Sequence, residues 1–135
     1  MIAYMLSYIM KKIEFQYAKD SRGNEYFFDL LDSLPDKQRV ALVTLISKIE
    51  KYGLQEAIKN QWVAKLDKNL YEIRSKQGSN IQRGIYFHLI KDQYVITHGF
   101  TKKTQKTPQK EINKGKLIRN KFIQSYKLKG VDNNE

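Results

Sequence analysis

The stretch that decides the fold is residues 66–108, LDKNLYEIRSKQGSNIQRGIYFHLIKDQYVITHGFTKKTQKTP. Apolar and polar side chains alternate along three runs of it, at residues 70–75, 81–90 and 93–101. A period of two residues is typical of β-strands with one buried face. Short turn sequences, GSN and KD, separate the runs and can join antiparallel neighbours. The stretch therefore predicts a three-stranded antiparallel meander.

One strand and two helices are predicted before the meander. Residues 12–18, KIEFQYA, also alternate and indicate a half-buried strand. From Glu25 onward the apolar period becomes that of a helix, and residues 36–52 form a second helix that Gly53 ends. Pro35 separates the two helices, which are expected to form an antiparallel hairpin. Residues 54–58 allow one more helical turn, and Trp62 with Val63 anchors the crossing to the sheet.

A basic helix is predicted after the meander. Pro108 is expected at its first position and Thr107 at its N-cap. Its apolar stripe is thin and consists of Ile112, Ile118, Phe122 and Tyr126. The predicted fold is α+β: an N-terminal strand, a helix hairpin, the meander that completes a four-stranded sheet, and the C-terminal basic helix. The hairpin covers one face of the sheet, and the other face is expected to be open.

The domain is expected at residues 10–129. The apolar run at residues 1–9 is interpreted as a mis-assigned start or a disordered leader, because positive charge follows it instead of preceding it. The run is also too short to cross a membrane. Residues 130–135 are predicted to be a polar tail.

Net charge rises steeply along the chain, to a formal total of +11. Residues 1–60 hold nine Lys/Arg against eight Asp/Glu, residues 61–101 six against three, and residues 102–135 ten against three. A one-sided basic surface of this kind favours a polyanion such as RNA, DNA or anionic lipid. Solvated lysines are the alternative.

Several classes of site are excluded by the residue types present. The chain has no cysteine, which excludes disulfides, cysteine nucleophiles and thiolate metal sites and suits a reducing cytoplasm. It contains no GxxxxGK[ST], GxGxxG, HExxH or GxSxG motif. Two histidines without a nearby carboxylate pattern do not make a metal site. No cofactor and no metal are therefore expected.

Basic residues collect at the strand ends of the meander and in the loop that follows it. Arg74 ends one strand and Arg83 opens the next, so a hairpin would bring both within reach of one anion. Lys102, Lys103 and Lys106 follow the third strand. A guanidinium matches a phosphate with a planar fork, and a lysine acts as a mobile point charge. The cluster therefore predicts a site for a scissile or backbone phosphate, where positioning and charge stabilisation supply most of the catalysis.

Two points leave the chemistry of this cluster open. Arg74 can instead pair with Glu72 or Asp67 while the lysines are solvated. His98 and Tyr86 are candidates for acid–base catalysis or base stacking. A histidine among apolar strand neighbours, however, is more often a hydrogen-bonded structural residue.

These residues together resemble the RelE/ParE toxin superfamily, and specifically its HigB-type, phage-related branch. The matching features occur in order: Lys65 before the strand, YEIR ending in Arg74, and Arg83 opening a strand with Tyr86. HGFTKKTQKTP, residues 98–108, then leads into the basic helix. The resemblance covers most of the chain, including the helix pair before the sheet.

The resemblance implies a toxin of a type II toxin–antitoxin module that cuts mRNA on the ribosome without a metal. The 2′-hydroxyl attacks the adjacent phosphate while basic residues hold it. The implied catalytic residues are Arg74, Arg83, Lys102 and Lys103. The residues implied in RNA or ribosome binding are Lys65, Lys106, Lys110, Lys114 and Arg119. Some relatives place a tyrosine after the last strand, which residues 104–107 lack; the general base is left open between Tyr86, His98 and a lysine.

The resemblance also implies the partners and the location. The partners are a HigA-like helix-turn-helix antitoxin, the ribosome with its mRNA, and operator DNA bound through the antitoxin complex. No membrane partner is implied, and the expected location is the cytoplasm. Two alternatives are a ParE-like inhibitor of DNA gyrase, which shares the fold but is no nuclease, and an inactive phage-derived basic binding module.

Overall fold

A computed structural model of the chain describes residue 2 and residues 10–133, with side chains up to residue 130. Five strands and four helices lie in this part of the chain, which confirms the α+β class. In order they are β1 (Glu14–Tyr17), α1 (Tyr26–Ser33), α2 (Asp36–Tyr52), α3 (Leu54–Lys59), β2 (Val63–Asp67), β3 (Leu70–Gln77), β4 (Asn80–Ile90), β5 (Gln93–Lys102) and α4 (Gln109–Asn133). The leader predicted at residues 1–9 falls on a segment of which only Ile2 is described.

The strands form one mixed sheet in the order β1-β5-β4-β3-β2. The meander β3-β4-β5 is antiparallel as predicted, and β1 joins its far edge parallel to β5. The predicted number of four strands is wrong, because β2 pairs antiparallel with β3 as a fifth strand. Val63 and Lys65 share a face of β2, yet the first is buried and the second exposed. This short strand therefore lacks the alternation that would have revealed it.

Helices α1, α2 and α3 cover one face of the sheet, called here the helical face. Phe27 and Leu30 of α1 and Ile49 of α2 are buried in one cluster with Tyr86 and Ile96 of the strands. Helix α1 packs mainly on β5, and α2 packs on β3 and α3. The main contacts of the predicted hairpin are thus with the sheet and not between its two helices.

Helix α4 covers the opposite face, called here the α4 face, so the expectation of an open face is wrong. The rings of Phe87 and Phe122 meet edge to face with centroids 5.8 Å apart. Gly115 allows the helix to approach closely, since a Cβ atom at this position would lie 2.9 Å from Cγ2 of Ile85. The helix continues through Asn133 and so includes residues predicted as a polar tail.

Two polar contacts fasten the middle of α4 to the turn between β2 and β3. Lys116 Nζ lies 2.7 Å from Oδ2 of Asp67. Arg119 Nη1 donates a hydrogen bond to the carbonyl oxygen of Lys68 over 2.7 Å. No helix in the described part of the chain is long and apolar enough to span a membrane.

Candidate functional site

Arg74 and Arg83 are direct cross-strand partners on β3 and β4. Arg83 alternates along β4 with Ile85 and Phe87, which contact α4, so both arginine side chains belong to the α4 face. The hairpin therefore brings the two predicted arginines together. They lie where β5 leaves the sheet and residues 103–108, called here the β5–α4 loop, lead into α4.

The β5–α4 loop encloses the Arg83 side chain, which is 0% exposed. Its Nη1 donates a hydrogen bond to the hydroxyl oxygen of Thr107 over 3.1 Å. Its Nη2 donates to the carbonyl oxygens of Gln105, over 2.8 Å, and Thr104. Arg83 thus holds the loop against the sheet through side-chain and backbone oxygens.

A buried carboxylate, that of Glu72, lies between the two guanidinium groups. Its Oε1 is 3.6 Å from Nε of Arg74, and its Oε2 is 3.9 Å from Nε of Arg83. The carboxylate also accepts a hydrogen bond from the hydroxyl of Thr107. The alternative that Arg74 pairs with Glu72 is therefore realised, and the same carboxylate serves Arg83.

Thr107 does not have the helix-capping role that was predicted for it. Its hydroxyl is directed to Glu72 and Arg83, and the helix begins at Gln109. The carbonyl oxygen of Pro108 accepts the first bonds of the helix, from the N–H groups of Glu111 and Ile112. Pro108 therefore stands immediately before α4 and not at its first helical position.

The two arginines differ in access to solvent. Burial lowers the pKa of Arg83, and the Glu72 carboxylate opposes that effect, so the guanidinium keeps its charge. Arg74 is partly exposed and also donates a hydrogen bond to the side-chain oxygen of Gln105. An incoming anion can reach Arg74 directly, whereas it reaches Arg83 only if the loop moves.

His98 is buried on the same face as Arg83. Its Nδ1 lies 2.9 Å from the hydroxyl oxygen of Thr97, and its Nε2 lies 3.3 Å from Oε1 of Glu111 without hydrogen-bond geometry. Burial, together with the charge of Lys114, lowers the pKa of His98 to about 4. The imidazole is therefore neutral near pH 7, and its contact with Glu111 is not an ion pair there.

Tyr86 is not brought to the arginines, because it lies on the helical face. Its ring stacks on that of Tyr71 at 5.3 Å and meets Phe15 and Tyr94 edge to face. Burial raises the pKa of Tyr86 well above its ordinary value of 10. A phenol that is harder to ionise and points away from the cluster is poorly suited to act there as a base.

The predicted lysines and Arg119 lie in different parts of the structure. Those exposed on or beside the β5–α4 loop are Lys102, Lys103, Lys106 and Lys110. Lys65 pairs with Tyr71 across the strands and so lies on the helical face, away from the arginines. Lys114 lies 6.0 Å from the ring centre of Tyr26, and Arg119 is bonded to the β2–β3 turn. The loop lysines are therefore the cations next to the arginine pair.

Sequence reasoning named Glu72 as a possible partner of Arg74 but missed that Arg83 shares this carboxylate, and it missed the role of Thr107 in this site. The strand period places Glu72 on the same face as Arg74, so its position next to the cluster was available from the sequence. Nothing in the sequence indicated that the Thr107 hydroxyl would donate to Glu72 and accept from Arg83. Among the described residues, no three His, Asp or Glu side chains are grouped so that they could hold a metal ion.

The candidate site lies within a segment that is shared with a known protein family. Residues 29–119, from α1 to the middle of α4, match the family model of the phage-derived Gp49-like proteins (DUF891). The chain belongs to this Gp49-like family. The Gp49-like family is toxin-like and of RelE/HigB type, which confirms the resemblance at the level of the family. No curated protein matches the chain.

The match of this Gp49-like chain includes the whole candidate site. It covers Arg74 and Arg83, the carboxylate of Glu72 between them, and the complete β5–α4 loop. Strand β1 and the last turns of α4 lie outside it. Membership of a toxin-like family is compatible with the toxin of a toxin–antitoxin module.

Proposed function

We propose that this protein is the toxin of a type II toxin–antitoxin module and inhibits translation by cutting mRNA on the ribosome. The observation that supports the cleavage chemistry is the arginine pair, Arg74 and Arg83, held side by side on one sheet face by a shared carboxylate. Two adjacent guanidinium groups suit a phosphate that gains negative charge as it is attacked. Membership of a toxin-like family supports the biological role.

The proposed reaction needs no metal. The 2′-hydroxyl of the ribose attacks the neighbouring phosphorus and its proton passes to a base. The bond to the 5′ oxygen of the next nucleotide breaks, which leaves a 2′,3′-cyclic phosphate, and the departing 5′ oxygen takes a proton from water to become a hydroxyl. Arg74 meets the phosphate first because it is the more exposed of the two. Phosphate oxygens then replace the carbonyl oxygens of Thr104 and Gln105 on Arg83 as the loop moves aside. Lys102 and Lys103 supply further positive charge at the loop.

His98 is the better supported candidate for the base. It shares the α4 face with Arg83, is neutral near pH 7, and has an Nε2 atom without a hydrogen-bond partner among the described residues. Tyr86 lies on the other face of the sheet. Because the imidazole is buried, the movement of the loop that frees Arg83 would also have to open a path to His98.

The partners are part of the same proposal. A HigA-like antitoxin would neutralise the toxin, and the two together would bind operator DNA chiefly through the antitoxin. Contacts with ribosomal RNA would use the exposed cations beside the site, such as Lys106 and Lys110. The fully buried Arg83 gives one specific reason to keep a second candidate, a ParE-like inhibitor of DNA gyrase, since an enclosed guanidinium is not available to a substrate.

The test is to express the wild type and the variants Arg74→Ala, Arg83→Gln and Lys102→Ala in bacteria and to map transcript 5′ ends with translation on and off. We expect cleavage that depends on translation, and a loss of at least about tenfold when an arginine that stabilises the reacting phosphate is removed. Lys37→Ala, an exposed lysine at the start of α2, is the matched control and should behave as the wild type.

Growth inhibition that persists undiminished in the arginine variants would contradict the nuclease. A supercoiling assay with purified protein then decides between the two candidates, because only a gyrase inhibitor blocks supercoiling. Thermal unfolding of each variant separates loss of the arginine's chemistry from loss of the fold.

A further inference from the structure

A groove of about 550 Å³ runs beside the arginine pair, between α2 and the end of β3. Arg74 and Gln105 of the candidate site line the groove, and so does Lys48 of α2. Trp62 and Lys76 also line it. The groove is thus continuous with the site where the phosphate is proposed to bind.

The groove exists because β2 is shorter than β3. The pairing of these strands ends at Val63 and Ile73, and beyond it the N–H of Arg74 donates only to the carbonyl oxygen of Trp62, over 2.8 Å. Backbone N–H groups of a strand alternate in direction, so that of Lys76 points to the same uncovered edge. The groove therefore offers a backbone donor as well as side chains.

The charges and rings of this groove fit a nucleotide. Three of its side chains are cationic, those of Lys48, Arg74 and Lys76, and none of the lining residues that the structure describes is acidic. Its tryptophan is half-buried, and Lys48 Nζ lies 4.9 Å from the ring centre. Single-stranded RNA is bound by this combination of cations for the backbone and an aromatic ring for the base.

The backbone fixes Trp62 directly opposite Arg74. The N–H of Trp62 donates to the carbonyl oxygen of Ala57 over 2.9 Å, and its own carbonyl accepts from Arg74. Both bonds hold the backbone of Trp62 at the start of β2, one strand away from the arginine, while the indole packs against the core of the helical face and lines the groove. A chain of nucleotides that places one phosphate at Arg74 can therefore place a neighbouring base near Trp62.

We propose that this groove is the subsite for a nucleotide of single-stranded RNA next to the phosphate at the arginine pair, with its base stacked on Trp62. The proposal rests on the proposed function and adds a residue that recognises the substrate. Lys48, which interacts with the indole in the free protein, turns to the phosphate of the bound nucleotide. Lys76 and its backbone N–H contact the same nucleotide.

The test uses the fact that Trp62 is the only tryptophan of the chain. Intrinsic fluorescence of the full-length protein is followed while a short single-stranded RNA, 2′-O-methylated so that it cannot be cleaved, is added. We expect the fluorescence to be quenched as the RNA binds. Labelled RNA and anisotropy then compare variants: Trp62→Leu should bind about tenfold more weakly, as expected for the loss of one base–aromatic stack, and Trp62→Phe should retain most of the affinity.

A matched control lies on the same helix as Lys48 but outside the groove. Lys51 Nζ is 5.4 Å from the ring centre of Tyr52, which is exposed, and neither residue lines the groove. The variants Tyr52→Leu and Lys51→Ala should bind RNA as the wild type does, whereas Lys48→Ala should bind more weakly. Equal losses of RNA affinity in the groove variants, at Trp62 and Lys48, and in the control variants, at Tyr52 and Lys51, would overturn the proposal.

Two further outcomes would also overturn it: RNA binding without any change in Trp62 fluorescence, and equal quenching by an acidic peptide such as polyglutamate. The proposed function fails in a different way. If Trp62-dependent binding occurs but translated mRNA is not cut, the nuclease is refuted while the subsite stands. If mRNA is cut equally well by the wild type and Trp62→Leu, the nuclease stands and the subsite is refuted.

Discussion

At the scale of single residues, Arg83 combines complete burial with a permanent charge. Removing such a charge from water costs several kcal/mol unless partners replace the water. Here Glu72 supplies the opposite charge, and Thr104, Gln105 and Thr107 supply oxygen acceptors. The same contacts fix the β5–α4 loop. In the proposed reaction, a phosphate that binds Arg83 would have to displace these groups, so binding of the anion would be coupled to movement of the loop.

His98 leads to a prediction about the pH dependence of stability. Its folded pKa, about 4, lies below its ordinary value of 6.5, so the unfolded chain takes up a proton first as the pH falls. The free energy of unfolding should therefore decrease between about pH 6.5 and 4, by up to about 3 kcal/mol from this residue. Urea unfolding of the wild type and of the His98→Gln variant at several pH values measures this decrease in the free energy of unfolding.

The difference between these two proteins should be constant above pH 7 and shrink toward pH 4. An unchanged difference over this range would show that His98 is not buried in its neutral form. Asp67 acts in a lower window: Lys116 above all lowers its pKa below 3.8, so its contribution is present above that pH and is lost only in stronger acid.

At the scale of elements, the seating of α4 on the sheet depends on Gly115. The variant Gly115→Ala should lower the free energy of unfolding by about 1–3 kcal/mol, because its methyl group would lie 2.9 Å from Ile85 in a packed interface. At Gly130 in the same helix, a methyl group would have no atom within 4 Å. Gly130→Ala should therefore be neutral or stabilising by up to about 1 kcal/mol. Urea unfolding of both variants tests the pair; equal effects would contradict the close approach.

The same glycine explains why the sequence did not predict the position of α4. The sequence predicted the meander and the second helix well, because their apolar periods are long and regular. Helix α4 contacts β4 at Gly115 as well as through Phe122, and a glycine adds nothing to an apolar stripe, so the stripe is thin although the helix is packed. Strand β2 was missed because Lys65 shares a face with the buried Val63, where alternation would require an apolar residue. The lysine is exposed at this position and breaks the pattern.

The candidate site was predictable only in part for a related reason. Strand period placed Arg74 and Arg83 opposite each other once the hairpin turn at residues 78–79 was recognised. The enclosure of Arg83 depends on backbone carbonyls of the β5–α4 loop. Any residue supplies a carbonyl oxygen, so residue identity carries no signal of such a contact.

At the scale of the whole molecule, the positive charge is concentrated toward the C-terminal end, and this predicts a salt dependence. RNA affinity should fall linearly on a log–log scale with salt, with a slope near −0.7 for each neutralised phosphate of a single strand. Replacing Lys103 and Lys106 by alanine should reduce the slope by about 1.4. Lys19 and Lys37, exposed lysines distant in sequence, are the matched control pair and should leave it unchanged. An equal change of the slope in both pairs of variants would mean that the positive charge of the whole surface attracts RNA without a defined site.

The parallel pairing of β1 with β5 determines how late in synthesis the sheet can be completed. Glu14 lies beside Gln93, so the sheet closes at that edge only after β5 has been synthesised. Folding must therefore join distant parts of the chain, which slows it relative to a fold with local contacts. The loop that encloses Arg83 follows later still, through Thr107. A nascent chain that stops before β5 would have an unfinished sheet edge and would lack the β5–α4 loop, so the candidate site can form only after Thr107 has been synthesised.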